Sequence, residues 1–550
     1  MLPRSIVLTP ILLCLITACA EDRSSIDAAP GDDAEVAADR PAAPDTGVAL
    51  ADAGLPPVDA GVDAGEISRD AALPDTGSVA LDASALPADA GAPLVDGGDP
   101  FLPLPDESEG LINTTADLNE LLEHGALSGA CEASRANPSD RRLLLMCGKW
   151  MFFYETFGTF GVPSAIAKFL MENFPEVGPG FSAMGMIEDP TSSEHWPLGL
   201  APTTAMGPPS VAFTCGSCHF GQLSDGRYSV GAPNLDYDYG GQILSLILLP
   251  QLVAPGANPA AHHPRAMARL APMLQRLQSD RRLRLRLLLD LLPLLSQLGA
   301  GGPPQLSVDV EGQYASWLSG TMDFLVAPLP IDDHTPTITK ILALWSIPRP
   351  AELAQAQIPH AMLGWAAASP SLEHFTEAFV LLGGGPTADW PLDRRRPLVE
   401  YIHSLRPPSV PPADTAQAER GRRTFFAAGC GSCHDGPRGS GRRVYGLNEV
   451  GTDPLLQYWI DPELDGAPCC GISLAPGIAL SHGVKSPRLV GLSYLRRFLH
   501  NGSLSSLEEL FCASTRSATT SEGQTAAGHT YGCDLGATDK ADLIAWLRSH

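Results

Sequence analysis

A five-residue stretch occurs twice in the chain, as Cys215-Gly216-Ser217-Cys218-His219 and as Cys430-Gly431-Ser432-Cys433-His434. Two thiols three positions apart on a helical turn can reach the two vinyl groups of one haem, and a histidine directly after them faces the iron as an axial ligand. The spacing therefore predicts two covalently attached c-type haems. Cys215 and Cys218 would hold the first haem, with His219 as the iron ligand. Cys430 and Cys433 would hold the second haem, with His434 as the iron ligand.

Zinc is the alternative for this spacing, because Cys-x-x-Cys is also half of a tetrahedral zinc site. A zinc site would need a second pair of ligands at a similar spacing. The other closely spaced thiols, Cys469 and Cys470, are adjacent and cannot form a second half-site of this kind. Haem attachment is therefore the preferred interpretation.

The chain has 550 residues, and its composition is uneven. Residues 20–109 contain 21 acidic and three basic residues, which account for −18 of the formal net charge of −26. This Asp-, Ala-, Pro- and Gly-rich stretch cannot bury enough apolar surface to offset the entropy of ordering it. We expect a disordered linker that its own charge extends. No basic patch with interleaved aromatic residues occurs, so nucleic acid is not an expected partner.

The first 19 residues predict export. Arg4 supplies a positive charge, and the apolar stretch 6–16 is too short to span a bilayer. Ile16-Thr17-Ala18-Cys19 resembles a bacterial lipobox, in which Cys19 is diacylated and becomes the mature N-terminus. The alternative is ordinary signal-peptide cleavage after Ala20. We favour a lipoprotein anchored to the membrane at Cys19, facing the periplasm or the cell exterior, because the linker that follows is suited to be a tether.

Helical periodicity dominates the remainder, so we expect a mainly α protein. We assign 110–408 to an N-terminal haem domain enlarged by helical insertions and 409–550 to a C-terminal cytochrome c domain, with a proline-rich boundary at 406–412. The predicted helices are 117–124, 141–153, 157–174, a Leu/Arg-rich region at 266–298, 391–405, 418–428 and 539–549. Export into an oxidising compartment favours disulfides at Cys131–Cys147 and Cys512–Cys533, while Cys469 and Cys470 form a vicinal disulfide or stay free.

Two charged clusters could each be either a solvated surface or a binding site. Asp236 and Asp238 could bind calcium, but no glycine-centred loop with a distal glutamate follows, so a solvated loop is preferred. The arginines at 281, 282, 284 and 286 could contact anionic lipid or a partner, and a solvated helix face is preferred.

The sixth iron ligands are less well determined. No methionine follows Met362, so the C-terminal domain cannot use the methionine ligand of many cytochromes c, and its histidines after the motif are His482, His500, His529 and His550. For the N-terminal haem the sequence does not choose among the pocket candidates. These candidates are Trp317, Met322, His334, Trp345, His360, Met362, Trp365 and His374.

Several segments resemble the bacterial di-haem cytochrome c peroxidase superfamily. Three of these segments are residues 401–408, Gly421-Arg422-Arg423-Thr424-Phe425-Phe426 and the second haem motif. Ser486-Pro487-Arg488-Leu489, Phe498-Leu499-His500-Asn501-Gly502 and Gly528-His529-Thr530-Tyr531-Gly532 are similar to the branch that includes the di-haem rubber oxygenases and MauG-like enzymes. The resemblance is specific from about residue 391, looser over 196–234 and absent before 111.

The resemblance implies a division of labour. The N-terminal haem meets peroxide or dioxygen, the C-terminal haem passes or stores electrons, and a tryptophan lies between them, here Trp345. The matching histidine of the rubber-oxygenase-like branch makes His529 the sixth ligand of the C-terminal haem, with His500 as the alternative. Gly364-Trp365-Ala366 lacks the acid of the related Trp-Asp-Gly, which argues against peroxidase chemistry.

Two functional classes remain open. The first is an oxidoreductase that uses peroxide or dioxygen at the N-terminal haem and exchanges electrons with a redox protein. The second is a non-catalytic, membrane-tethered di-haem electron carrier. They differ in whether one iron keeps an open coordination position for oxygen.

Replacing Cys19 by serine tests the predicted anchor. Cys19→Ser removes the thiol that would be lipidated, so we expect the protein to move from the membrane fraction to the soluble fraction. Fractionation with N-terminal sequencing of the wild type measures this. A variant that stays with membranes, together with a native N-terminus at Glu21, would show that the lipoprotein prediction is wrong.

Overall fold

The computed structural model describes residues 110–159, 161–205, 209–252, 264–298, 316–322, 338–367, 369–453, 483–516, 520–521 and 524–549. The predicted signal, Cys19, the linker, His334, Cys469, Cys470, His482 and His550 lie outside the described residues. Every described residue belongs to one compact unit of the chain.

Helices begin where a polar side chain can cap the first turn. Asp140 accepts a hydrogen bond from the N–H of Leu143, and Asp414 accepts from Ala416 and Gln417. The helices are α1 Leu118–Leu121, α2 Ala130–Ala136, α3 Arg141–Tyr154, α4 Ser164–Asn173, α5 Cys215–His219, α6 Tyr239–Leu252, α7 Pro264–Arg269, α8 Ala271–Ser279, α9 Arg281–Leu298, α10 Pro350–Gln355, α11 Leu372–Leu382, α12 Leu392–Ser404, α13 Thr415–Ala427, α14 Leu447–Val450, α15 Leu507–Leu510 and α16 Ala537–Leu547.

Short antiparallel strands accompany the helices. They are β1 Thr114–Thr115, β2 Val162–Pro163, β3 Leu200–Thr203, β4 Ser210–Phe213, β5 Phe220–Gln222, β6 Tyr228–Val230, β7 Thr321–Met322, β8 Thr339–Lys340, β9 Val444–Gly446 and β10 Gly483–Lys485. Two three-stranded sheets have the orders β1-β6-β5 and β2-β4-β3, and β7 pairs with β8 and β9 with β10. The first sheet registers Phe220 with Val230, which holds the end of α5 against β6.

Helix predominates, at 45% against 10% strand, so the structure is mixed rather than purely α. The four small sheets are an addition to the expected architecture. Within the described ranges, no helix combines the length and the apolar character needed to cross a bilayer.

Most predicted helices lie within a few residues of the observed ones, but the prediction at 157–174 was wrong in its first half. The helix begins only at Ser164, after β2. Phe157 has a positive φ of 54° and precedes Gly158, which also has a positive φ, so the chain turns there. The ring of Phe157 is nevertheless buried, with its centroid 4.9 Å from that of Trp390.

The helix pair α13 and α16 positions the second motif. Gly421 on α13 lies against the backbone of α16 so closely that a Cβ atom would come within 2.0 Å of the Asp542 carbonyl oxygen. The rings of Phe425 and Trp546 pack 4.7 Å apart across the same contact. Because α13 leads directly into Cys430, this crossing fixes where the motif enters the fold.

The largest apolar core contains residues from both predicted haem domains. Trp345 and Tyr401 are fully buried in it, together with Val490 and Tyr494 from the C-terminal part. A smaller core around Leu543 and Phe425 belongs to the C-terminal part alone. The predicted boundary at 408/409 stays a prediction.

The two predicted disulfides are confirmed, since Cys131 bonds to Cys147 and Cys512 to Cys533. The acidic pair forms ion pairs instead of facing a common site: Asp236 pairs with Arg496, and Asp238 with Arg269. In α9, Arg286 pairs with Glu172, in keeping with a solvated helix face.

Candidate haem-attachment sites

The first motif forms α5, between β4 and β5. Burial raises the pKa of both the Cys215 and Cys218 thiols to about 12, so both are protonated. Neither is in a disulfide, and neither are Cys430 and Cys433 of the second motif, whereas the remaining four cysteines of the described ranges form two disulfides. Both thiols are therefore available for another covalent bond.

The ring of His219 is held by the backbone of a distant segment. Its Nδ1 lies 2.9 Å from the carbonyl oxygen of Leu342. A carbonyl oxygen only accepts hydrogen bonds, so Nδ1 carries the proton. Burial, with a smaller contribution from the positive charge of Arg488, lowers the pKa of His219 to about 4, so the ring is neutral. A neutral imidazole protonated at Nδ1 has its lone pair at Nε2, the arrangement of a metal-ligating histidine.

The second motif repeats this arrangement. Cys430–Ser432 form a single 3-10 turn directly after α13. The Nδ1 of His434 donates to the carbonyl oxygen of Gly439 at 2.6 Å, and burial lowers the pKa of His434 below its usual value. Both motif histidines are therefore oriented by a backbone carbonyl and keep Nε2 for a ligand.

A cavity of about 250 Å³ opens beside the second motif, and we call it the second cavity after that motif. This volume far exceeds the roughly 10–15 Å³ that one water molecule needs. Cys430, Cys433 and His434 line it, and most of the remaining lining is apolar, including Phe425 and Leu492. Its shape and composition are those of a site for a large apolar group with a few polar anchors.

The predicted sixth ligand His529 lines the same cavity. Its Nδ1 is buried and has no hydrogen-bond partner within the described part of the chain. The backbone has a positive φ of 46° at His529, where Arg516 donates a hydrogen bond of 2.7 Å to its carbonyl oxygen. Burial, with a smaller contribution from the nearby imidazole of His434, lowers the pKa of His529 to about 4. The structure thus brings His434 and His529 together, with neutral rings.

The alternative ligand, His500, also lines the cavity, but its ring is engaged differently. Its Nδ1 lies 3.0 Å from the hydroxyl of Thr452, and the ring packs edge-on against Trp365 at 6.3 Å. The Nδ1 of His500 therefore has a hydrogen-bond partner within the described residues, whereas the Nδ1 of His529 has none there.

Trp345 lies between the two motif regions and is fully buried. Its Nε1 donates to the Val230 carbonyl at 2.9 Å, and its ring packs against Gly231, whose N–H donates to the carbonyl of His219. On its other side the ring packs against Gly491, and the neighbours of Gly491 line the second cavity. The indole therefore occupies the space between His219 and the second cavity.

The remaining pocket candidates are dispersed. Met322 is near the first motif, with its sulfur 3.9 Å from that of Cys218. Met362 and Trp365 line the second cavity rather than a pocket at the first motif. Trp317 stacks on Tyr239, His360 is exposed, and His374 lies on α11.

Three cations in the wall of the second cavity were missed by the sequence analysis. They are Lys340, Lys485 and Arg488. Both lysines stand in apolar segments, Ile338-Thr339-Lys340-Ile341 and Gly483-Val484-Lys485, and an isolated lysine in a buried strand is the signal that could have indicated them.

Groups of three or more His, Cys, Asp or Glu side chains arranged to hold a metal ion do not occur among the described residues. A haem iron needs only one or two protein ligands, because the porphyrin supplies four nitrogens. Comparison with protein-family models, curated proteins and solved structures gave no match for this chain.

The contact between Trp345 and Gly491 makes a testable prediction. Gly491 has a φ of +63°, and a Cβ atom there would lie 2.4 Å from the indole ring. Gly226 has a φ of +87°, with nothing within 4 Å of a Cβ atom. We expect Gly491→Ala to lower the free energy of unfolding by about 1–3 kcal/mol more than Gly226→Ala, because only the former adds overpacking to backbone strain.

Denaturant unfolding followed by circular dichroism measures the difference. Equal losses in Gly491→Ala and Gly226→Ala would contradict the tight packing of Trp345.

Proposed function

We propose that the chain is an exported di-haem c-type cytochrome, with one haem attached at Cys215 and Cys218 and the other at Cys430 and Cys433. One observation carries the proposal. Both Cys-x-x-Cys-His motifs present a half-buried, neutral histidine whose Nδ1 donates to a backbone carbonyl, which leaves Nε2 for iron. The unpaired thiols and the cavity at the second motif support it.

The residues of the chain would have separate tasks. The cysteines form thioether bonds, His219 and His434 ligate the irons, and His529 is the second ligand at the C-terminal site. The haems supply electron storage and, where a coordination position is open, oxygen or peroxide chemistry. The apolar residues that line the second cavity would keep water away from a redox centre bound there.

We propose further that the protein is an oxidoreductase of the di-haem peroxidase type, using peroxide or dioxygen at the N-terminal haem. The position of Trp345 supports this, since an aromatic ring between two redox sites shortens the distance that an electron must cross. A redox protein would exchange electrons with the C-terminal haem, and a lipid anchor at Cys19 would hold the protein at the membrane.

A non-catalytic electron carrier is the second candidate, and one observation favours it. The sulfur of Met322 lies 3.9 Å from that of Cys218, so a methionine that could serve as an iron ligand lies close to the first motif. If it ligated the N-terminal iron, no position would remain for oxygen.

Carbon monoxide distinguishes the two candidates. We expect the reduced protein to bind one carbon monoxide per two haems, because only the N-terminal iron has an open position. Titration followed by the Soret band measures the stoichiometry. Cys215→Ala/Cys218→Ala is expected to abolish binding, and Cys430→Ala/Cys433→Ala to preserve it. If neither haem binds carbon monoxide, the electron carrier is favoured.

The second ligand of the C-terminal haem is tested by two matched variants. His529→Ala removes an imidazole that faces His434, so we expect conversion from a low-spin to a high-spin, carbon-monoxide-binding haem. His500→Ala removes a cavity histidine that already bonds to Thr452, and we expect its spectrum to stay low-spin. Conversion in His500→Ala but not in His529→Ala, measured by electronic absorption and electron paramagnetic resonance, would overturn the assignment.

A further inference from the structure

We propose that Lys340, Lys485 and Arg488 form a cationic wall of the second cavity that binds the two propionate carboxylates of the C-terminal haem. This inference rests on the proposed function. It assigns a role in cofactor binding to three residues outside the haem motif.

The two lysines are buried without an acidic partner. Lys340 is 8% exposed and Lys485 is 5% exposed, and both line the cavity. Each Nζ donates one hydrogen bond to a backbone carbonyl: Lys340 to Arg497 at 2.7 Å and Lys485 to Ala361 at 2.8 Å. In the described ranges neither forms an ion pair, so each ammonium keeps donors for a further acceptor.

Arg488 adds a third positive charge beside them. Its Nε donates to the carbonyl of Trp345 at 3.1 Å and its Nη2 to that of Ala343 at 2.6 Å. Its guanidinium also lacks an ion pair with any described carboxylate. These two bonds fix the guanidinium plane against the segment behind it, while Nη1 remains for a ligand.

The cations impose a cost that an anion would offset. Burial lowers the pKa of Lys485 to about 7, with Arg488 as the second cause, and burial lowers that of Lys340 to about 8. A buried charge without a counterion is destabilised. The wall therefore favours an anionic ligand.

Trp365 sets the spacing of the two lysines. Its Nε1 donates to the carbonyl of Lys340 at 3.2 Å, and its own carbonyl accepts from the N–H of Lys485 at 2.9 Å. The Nζ of Lys340 also lies 5.7 Å from the centre of the Trp365 ring. The backbones of the two lysines are thus linked through one tryptophan, which fixes the positions from which the two side chains extend.

The chemistry of the cofactor matches this wall. A haem carries its vinyl groups and its propionates on different edges of the ring, and the vinyl edge must lie at Cys430 and Cys433. The cations stand on β8, on β10 and directly after β10, whereas the cysteines follow α13. Because the cysteines and the cations line the same cavity, a ring attached at Cys430 and Cys433 would lie in a cavity whose wall also carries Lys340, Lys485 and Arg488.

A free anionic substrate is the other source of carboxylate or phosphate chemistry, and the experiment separates the two. Lys340→Gln and Lys485→Gln are compared with Lys540→Gln in the full-length haem protein. Lys540 is also buried, and it donates only to the carbonyls of Cys512 and Cys533. Lys485→Arg keeps the charge and serves if Lys485→Gln does not fold.

Covalent haem content is measured first, by haem staining after denaturing electrophoresis. If the wild-type protein carries no covalent haem, the proposed function itself is wrong. With haem present, we expect Lys340→Gln and Lys485→Gln each to shift the propionate carboxylate bands in reduced-minus-oxidised infrared spectra and to lower the midpoint potential of the C-terminal haem. Lys540→Gln should change neither, and Lys485→Arg should restore the wild-type bands.

Unchanged bands in both glutamine variants would overturn the inference and leave the proposed function intact. A shift of the wild-type bands or potential on adding inorganic phosphate or acetate, lost in the glutamine variants, would also overturn it. That result would show that the wall is open to free anions.

Discussion

The hydrogen bond from Nδ1 of His219 to the carbonyl of Leu342 fixes the geometry on which both candidate sites depend. Leu342 belongs to the segment 340–346, which begins at the end of β8, ends in a turn at Trp345 and Ser346 and contacts both motif regions. The N–H of Lys340 donates to the carbonyl of His500, and the N–H of Leu344 donates to that of Gly231. Because buried backbone groups must be paired, these alternating bonds hold the segment in one register. The same register then determines where His219, Trp345 and the cations of the second cavity lie.

The sequence predicted the elements whose signals are local. The haem-motif spacing, the helices α12, α13 and α16, and the two disulfides depend on neighbouring residues, on caps such as Asp414, or on cysteine pairs close together in the chain, 16 and 21 residues apart. The predominance of helix followed from the same periodicity. Whether the motifs carry haem, and whether Cys19 carries lipid, are questions of covalent chemistry that the fold does not answer.

The parts that were missed depend on contacts between distant segments. Strands of two to four residues are too short to show alternation, so the small sheets left no pattern to read. The partners of His219 and His434 are the backbone carbonyls of Leu342 and Gly439, and every residue has a carbonyl. No residue type could therefore have indicated them. The early turn at Phe157 was missed because an apolar run fits a buried helix and a buried loop equally well.

Arg488 belongs to the surroundings of both sites. Its guanidinium lines the second cavity, is hydrogen-bonded to Ala343 and Trp345, and its charge lowers the pKa of His219. A charge in the low-dielectric interior acts over a greater distance than one at the surface. Negative charge bound in the second cavity would therefore act on His219 as well, because it would offset the same guanidinium. Such coupling requires no movement of the backbone, in keeping with a segment 340–346 whose groups are hydrogen-bonded to both sides.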